Sequence, residues 1–190
     1  MASSPSFSRE QHGFLAGRPC VTQLTSVLHY IGSQLDAGKQ IDIMYLDMSK
    51  AFDEVDHTKL LGRLHQYGII GKLHDWFQGW IQQVTVLRAT SRELPLTSGV
   101  LQGSLIGPIL FLLFVDNLPK AMKSSRVACY ADDTKIFKSI SSITDCDALQ
   151  SDFDHLVSWS ESTGLIFSQF KCKYKCITHK KITFTAYLYY

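Results

Sequence analysis

Val127-Ala-Cys-Tyr-Ala-Asp-Asp-Thr-Lys-Ile-Phe137 consists of two short apolar runs broken in the middle by a pair of aspartates. This pattern predicts a hairpin with Asp132 and Asp133 near its tip. A second stretch, Ile41-Asp-Ile-Met-Tyr-Leu46, reads as a buried strand and runs straight into Asp47. Two apolar strands that deliver carboxylates to one sheet edge make a divalent-metal site. Hard cations such as Mg²⁺ favour carboxylate oxygen, and a pair of ions can clamp both oxygens of a phosphoryl transfer. Taken alone, Asp132-Asp133 reads more readily as a plain turn, where aspartate is common.

Outward from these strands the chain alternates in type. Val21, Leu24, Leu28, Ile31 and Leu35 stand at helical spacing, and residues 36–40 form a turn. Asp56 suits the N-cap of a helix carrying Leu60, Leu61, Leu64 and Tyr67, which Gly68 stops. A further helix puts Leu73, Trp76, Phe77, Trp80 and Ile81 on one face, and Val84 to Ala89 is a strand candidate. Ser98 to Ser104 is a loop leading into a helix, with Pro108 in its first turn and Pro119 closing it. The apolar run Leu105 to Val115 is too short for a bilayer, which needs about 20 residues, and predicts a buried helix. Thr144 opens a helix with Leu149, Phe153, Leu156 and Val157 inward, Gly164 stops it, and Leu165 to Thr178 is a final strand region. This order suggests an α+β sheet with helices on one face.

Composition sets the bounds. The chain has 190 residues, 45% hydrophobic and 19% charged, which suits one globular domain, or one with fragments of a second. A net charge of +2 says little about partners. Five cysteines without a CxxC pair support neither a zinc ribbon nor a disulfide framework. Nothing in Met1 to Glu10 resembles a signal peptide, so the expected setting is intracellular, nucleus or cytoplasm, with no membrane partner.

Five stretches carry a more specific signal. Tyr130-Ala-Asp-Asp133 resembles the YADD hairpin of reverse transcriptases. Tyr45-Leu-Asp-Met-Ser-Lys-Ala-Phe-Asp53 resembles that family's first catalytic motif. Ser98-Gly-Val-Leu-Gln-Gly-Ser-Leu-Ile-Gly-Pro-Ile-Leu-Phe111 is similar to the motif between them. Gln11-His-Gly-Phe-Leu-Ala-Gly-Arg-Pro-Cys20 resembles a fingers motif, and Trp159 to Cys172 a later palm motif. The five occur in family order over residues 11–178, and the chain is identified as a member of the reverse transcriptases of non-LTR (LINE-type) retrotransposons.

The resemblance implies an α+β, palm-like sheet plus part of the fingers. Residues 1–40 would be partial fingers, 41–178 the palm, and 179–190 an atypical tail with the thumb absent. The implied activity is RNA-directed DNA polymerisation. Its partners would be an RNA template, a DNA primer and deoxynucleoside triphosphates, with two Mg²⁺ ions as cofactor and Mn²⁺ able to substitute. Asp47 and Asp132 would be the main metal ligands and Asp133 a supporting one. Phe52 would sit under the sugar and disfavour a 2′-hydroxyl; without the motif it reads as a core aromatic. Gln102 and Gly103 would line the incoming nucleotide, or form an ordinary turn. Lys171 would protonate the leaving pyrophosphate, or be a solvated lysine. Arg18 would meet phosphate, or be a surface charge.

Leu15, Leu101 and Ser168 depart from the family's usual arginine, proline and asparagine, which bears on triphosphate contacts and loop geometry. A truncated retroelement remnant with a palm-like fold, inactive or only nucleic-acid-binding, is the alternative. Independently of the family, Lys171, Lys173 and Lys175 alternate with Cys172, Tyr174 and Cys176. That pattern is either a basic stripe for a nucleic-acid backbone or an edge strand guarded by lysines.

Overall fold

A computed structural model of the chain describes residues 7–79, 81–82, 85–86, 89–90, 94–95, 98–101, 103–180 and 184. Strand β1, Gln40–Leu46, is buried along nearly its whole length and lies inside a four-stranded antiparallel sheet. Its neighbours are β7, Asp133–Ile140, and β8, Lys173–Ile177. Strand β6, Arg126–Tyr130, forms the predicted hairpin with β7.

Successive β1 side chains point to opposite faces. Ile41, Ile43 and Tyr45 pack with Val27 and Ile31 of α1, Cys20–Asp36, and with Phe137. Met44 and Leu46 enter the main core, shared with α2 (His57–Gln66), α4 (Gly107–Val115), α5 (Leu118–Ala121) and α6 (Ile143–Thr163). Phe77 of α3, Lys72–Gln78, joins them. Helices α2–α6 thus gather on one face, as expected, and α1 covers the other. Burial of Phe111, Phe114 and Leu112, all but fully enclosed, contributes about 1.5–3 kcal/mol each.

Asp56 and Gly164 act as the sequence predicts, whereas α6 opens at Ile143, one residue before the expected Thr144. The Asp56 carboxylate accepts from the Lys59 amide at 2.8 Å and caps α2. Ser142 and Asp145 form a capping box on α6, and Gly164 ends it at φ +83°.

Several boundaries differ. The α1 stripe is helical, yet Val21, Leu24 and Leu28 are exposed and Gln23 is buried, because the sheet takes the Val27–Ile31 side. Helix α3 ends at Gln78; Ile81 belongs to β2, Ile81–Gln82, which pairs with β5, Leu94–Pro95. Trp80 lies outside the described residues. Within the Val84–Ala89 candidate, β3 (Thr85–Val86) turns back on β4 (Ala89–Thr90), so the run is two strands; residues 84, 87 and 88 are outside the description. Helix α4 stops at Val115, and Pro119 sits in the first turn of α5. Leu105, Ile106 and Ile109 of the apolar run are exposed. The final strand region narrows to β8, an edge strand, preceded by a single bridge between Phe167 and Met48. Among the described residues no helix is long and apolar enough to cross a membrane.

Candidate active site

Register places the acidic residues. Leu46 pairs with Thr134, and the hairpin closes at Tyr130 and Asp133. One step past Leu46 is Asp47, level with Asp133, and Asp132 occupies the turn. Residues far apart in sequence therefore share one end of the sheet.

The backbone beyond β1 is tied down. The Ser49 amide donates to the Ile166 carbonyl, and the Ser168 amide to the Asp47 carbonyl, each at 2.8 Å. From Ser168 the chain turns, with the Cys172 amide 3.0 Å from the Ser168 carbonyl. That turn carries Lys171 Nζ to 3.0 Å from Asp47 Oδ1, in an exposed ion pair.

Electrostatics follow from the crowding. Burial pushes the Asp132 carboxyl above its ordinary range, and the charges of Asp133 and Asp47 push it further; its own backbone amide and Lys171 oppose them. The hydrogen bond to Asp47, and then that carboxylate's charge, raise the Lys171 pKa. An edge with more negative than positive charge attracts a cation, and the Lys171 ammonium stands in for one here. Hard carboxylate oxygens are the donor set that Mg²⁺ or Mn²⁺ takes. Among the described residues no three acidic, histidine or cysteine side chains are already drawn together as a metal-holding group. The edge fits a divalent cation in donor type and charge and is not closed around one.

Phe52 lies in the turn that follows β1. It is half-buried and stacks on Phe111, centroids 4.6 Å apart and planes 17° apart; Phe14 meets Phe52 nearly perpendicular, with centroids 6.3 Å apart. The loop before α4 is docked on the same turn: the Val100 amide donates to the Phe52 carbonyl at 2.7 Å, and the Gly99 amide to Val55 at 2.8 Å. A side chain at Gly99 would stand 3.0 Å from the Asp53 carbonyl oxygen, and φ there is +84°. Gly103 has φ +82° and open space beside it. Gln102 lies outside the described residues. Arg18 Nη1 donates to the Ser8 carbonyl and, at 2.8 Å, to the Gln11 carbonyl, so its guanidinium braces its own segment. Lys173 and Lys175 lie on β8 at the sheet edge, with the Lys175 ammonium 5.9 Å from the centre of the Tyr45 ring.

Sequence reasoning did not single out Gln11, Gly13 and Phe14. The Gln11 side chain is buried against the hairpin turn, and Gly13 packs so tightly there that a Cβ would fall 2.3 Å from the Ala131 nitrogen. Ala131 has φ +55° and Phe14 +54°, a region that costs an L-residue roughly 1–2 kcal/mol. The available signal was a glutamine and a glycine two apart in a quoted motif, with no local partner to weigh them against.

Comparisons with known proteins agree with this architecture. A family model described as reverse transcriptase (RNA-dependent DNA polymerase) matches residues 1–188. The probable RNA-directed DNA polymerase from transposon X-element of Drosophila melanogaster is 30% identical over 182 residues, covering 91% of this chain and 20% of that protein. The RNA-directed DNA polymerase from mobile element jockey, of the same fly, is 28% identical, covering 85% of this chain and 19% of that protein. The chain therefore spans about a fifth of the length of these curated relatives. Among solved structures, apo telomerase from Candida tropicalis superposes with a TM-score of 0.65 at 13% identity, covering 92% of this chain and 37% of that one, a likeness of fold. Taken together, the matched motifs, the sheet and the acidic edge place this chain in the reverse transcriptase family, in company with the polymerases of non-LTR retrotransposons.

Proposed function

We propose that this chain is the palm, residues 41–178, with part of the fingers, residues 1–40, of an RNA-directed DNA polymerase that extends a DNA primer on an RNA template. The observation that carries the reading is the arrival of Asp47, Asp132 and Asp133 at one sheet end by strand register. Two Mg²⁺ ions, or Mn²⁺ in their place, would neutralise charge on the attacking and leaving oxygens. Asp47 and Asp132 are the principal ligands in this reading, and Asp133, exposed at the start of β7, supports them.

The chain's own groups supply the rest. Phe52, backed by Phe111, sits in a firm stack and excludes a 2′-hydroxyl by bulk. Gly103, with Gln102 beside it, leaves room for the incoming deoxynucleoside triphosphate. Lys171, held protonated by Asp47, has a proton to give to the departing pyrophosphate. Arg18 keeps the fingers segment in shape. The lysines of β8 offer positive charge along the sheet edge, suited to phosphates of the template and primer.

Primer extension on an RNA template with Mg²⁺ or Mn²⁺, beside an Asp132→Asn control, tests the reading. Extension that disappears in the control is expected. Extension that survives Asp132→Asn unchanged would refute it.

A further inference from the structure

We propose that Gln11 is a positioning residue for the Tyr130-Ala-Asp-Asp133 turn, setting the backbone from which Asp132 reaches a divalent cation; this rests on the polymerase reading above. Gln11 uses both ends of its side-chain amide on one residue. Its Nε2 donates to the Ala131 carbonyl at 3.1 Å, and its Oε1 accepts from the Ala131 amide at 2.9 Å. The same oxygen accepts from the Gly13 amide at 2.8 Å. The Ala131 carbonyl and amide belong to the two peptide planes flanking that residue. One of those planes also carries the Asp132 nitrogen. A planar group that grips both planes fixes the torsions between them, and with them the direction in which Asp132 leaves the turn.

The turn needs such a grip. Ala131 holds φ +55° at a position that glycine ordinarily fills in a two-residue hairpin. The clamp itself is firmly mounted. The Cys129 amide donates to the Glu10 carbonyl and the His12 amide to the Cys129 carbonyl, each at 2.9 Å, in a parallel bridge to β6. Gly13 lies against the Ala131 backbone with no room for a side chain. Gln11 is 4% exposed, so water does not replace its bonds when they are lost.

Mn²⁺ binding to the full 190-residue chain, read from the electron paramagnetic resonance of the free ion, tests this beside thermal unfolding in metal-free buffer. Gln11→Met keeps the volume and loses all three bonds; it should weaken Mn²⁺ binding about 10- to 100-fold, the range seen when groups that orient a ligand are lost. Gln23→Met is the control. It removes a buried bond of 2.6 Å to the Cys129 carbonyl, one residue short of the turn, and touches neither Ala131 nor Asp132. It should lower the melting temperature in the same way and leave Mn²⁺ affinity unchanged. Gln11→Met with unaltered affinity, or equal weakening by both variants, overturns the proposal. Absence of Asp132-dependent Mn²⁺ binding in the unaltered chain overturns the metal site and this inference together. If Gln11→Met does not fold, Gln11→Glu keeps the two bonds from N–H groups and, ionised, sets a carboxylate oxygen against the Ala131 carbonyl in place of the donor. Faster hydrogen exchange at the Asp132 amide in that variant supports the proposal, and unchanged exchange overturns it.

Discussion

Asp152 and Asp132 are the same residue in opposite situations. Asp152, on α6, is 1% exposed and saturated with donors. It accepts from the backbone amides of Lys123 at 2.8 Å, Ser124 at 3.1 Å and Ser125 at 2.6 Å, and from the Ser124 hydroxyl at 2.9 Å. Burial alone would raise its pKa, and these bonds more than offset that, leaving it below the ordinary range. Asp132 is half-buried with two further carboxylates nearby, and its pKa is raised. One carboxylate ties the loop before β6 to a helix. The other has its charge imperfectly compensated by the protein, as the metal role proposed for it requires.

The contrast breaks most visibly if Asp152 proves dispensable. Asp152→Ala takes the acceptor from three part-buried amides and should cost about 3 kcal/mol of stability, measured by urea unfolding. A cost under about 1 kcal/mol would mean water serves those amides equally well.

The next effect is the response to cations. Mg²⁺ or Mn²⁺ at a hundredfold excess over its dissociation constant should stabilise the unaltered chain by about 2.7 kcal/mol. Asp132→Asn should abolish most of that rise. Asp152→Ala should melt lower in every buffer and keep it. An equal rise in Asp132→Asn would move the cation elsewhere.

A smaller effect has a definite sign in pH. The folded pKa of Asp132 lies above its unfolded value of 3.8, so the folded state binds the proton more tightly. Ionised Asp132 is then a penalty, present above its folded pKa and gone below 3.8. Without metal, Asp132→Asn should be more stable than the unaltered chain at pH 7, by under about 1 kcal/mol after solvent screening. The gap should close as the pH falls to about 4. Asp152 behaves in reverse: its contribution is present above 3.8 and is lost as pH falls through its lowered folded value. A gap that widens toward acid would sink this assignment of signs.

The smallest effect is at Lys171. Its ion pair with Asp47 is exposed, so Lys171→Met should leave the metal-free urea midpoint where it was. A clear drop would make the pair a structural element, comparable to Asp152 and not to the acidic edge.

The contrast also separates what the sequence carries plainly from what it hides. Asp47 at a strand end and Asp132 in a hairpin are local facts, written in the apolar runs around them. The caps of α2 and α6 are equally local. The helix α1 was legible as a helix, but its buried side was not, because Val21, Leu24 and Leu28 make as good a stripe as Val27 and Ile31. The sheet decides between the stripes. Pro119 suits a helix start as well as the end of the preceding one, and only packing distinguishes them. The Gln11 clamp joins residues 120 apart, beyond the reach of any periodic signal.

The arrangement of β1 has a consequence for how the chain is made. This strand is synthesised early, yet both of its hydrogen-bonding neighbours, β7 and β8, come from the later part of the chain. At about 5–20 residues per second, Ile41 to Leu46 leave the ribosome many seconds before either neighbour can cover them. Only the β6–β7 hairpin forms between adjacent strands of this sheet, so the remaining pairings close long loops and folding is slow for the chain's size. During that interval an uncovered apolar strand is a target for chaperones or for self-association, and the yield of folded chain in a cell depends on which reaches it first.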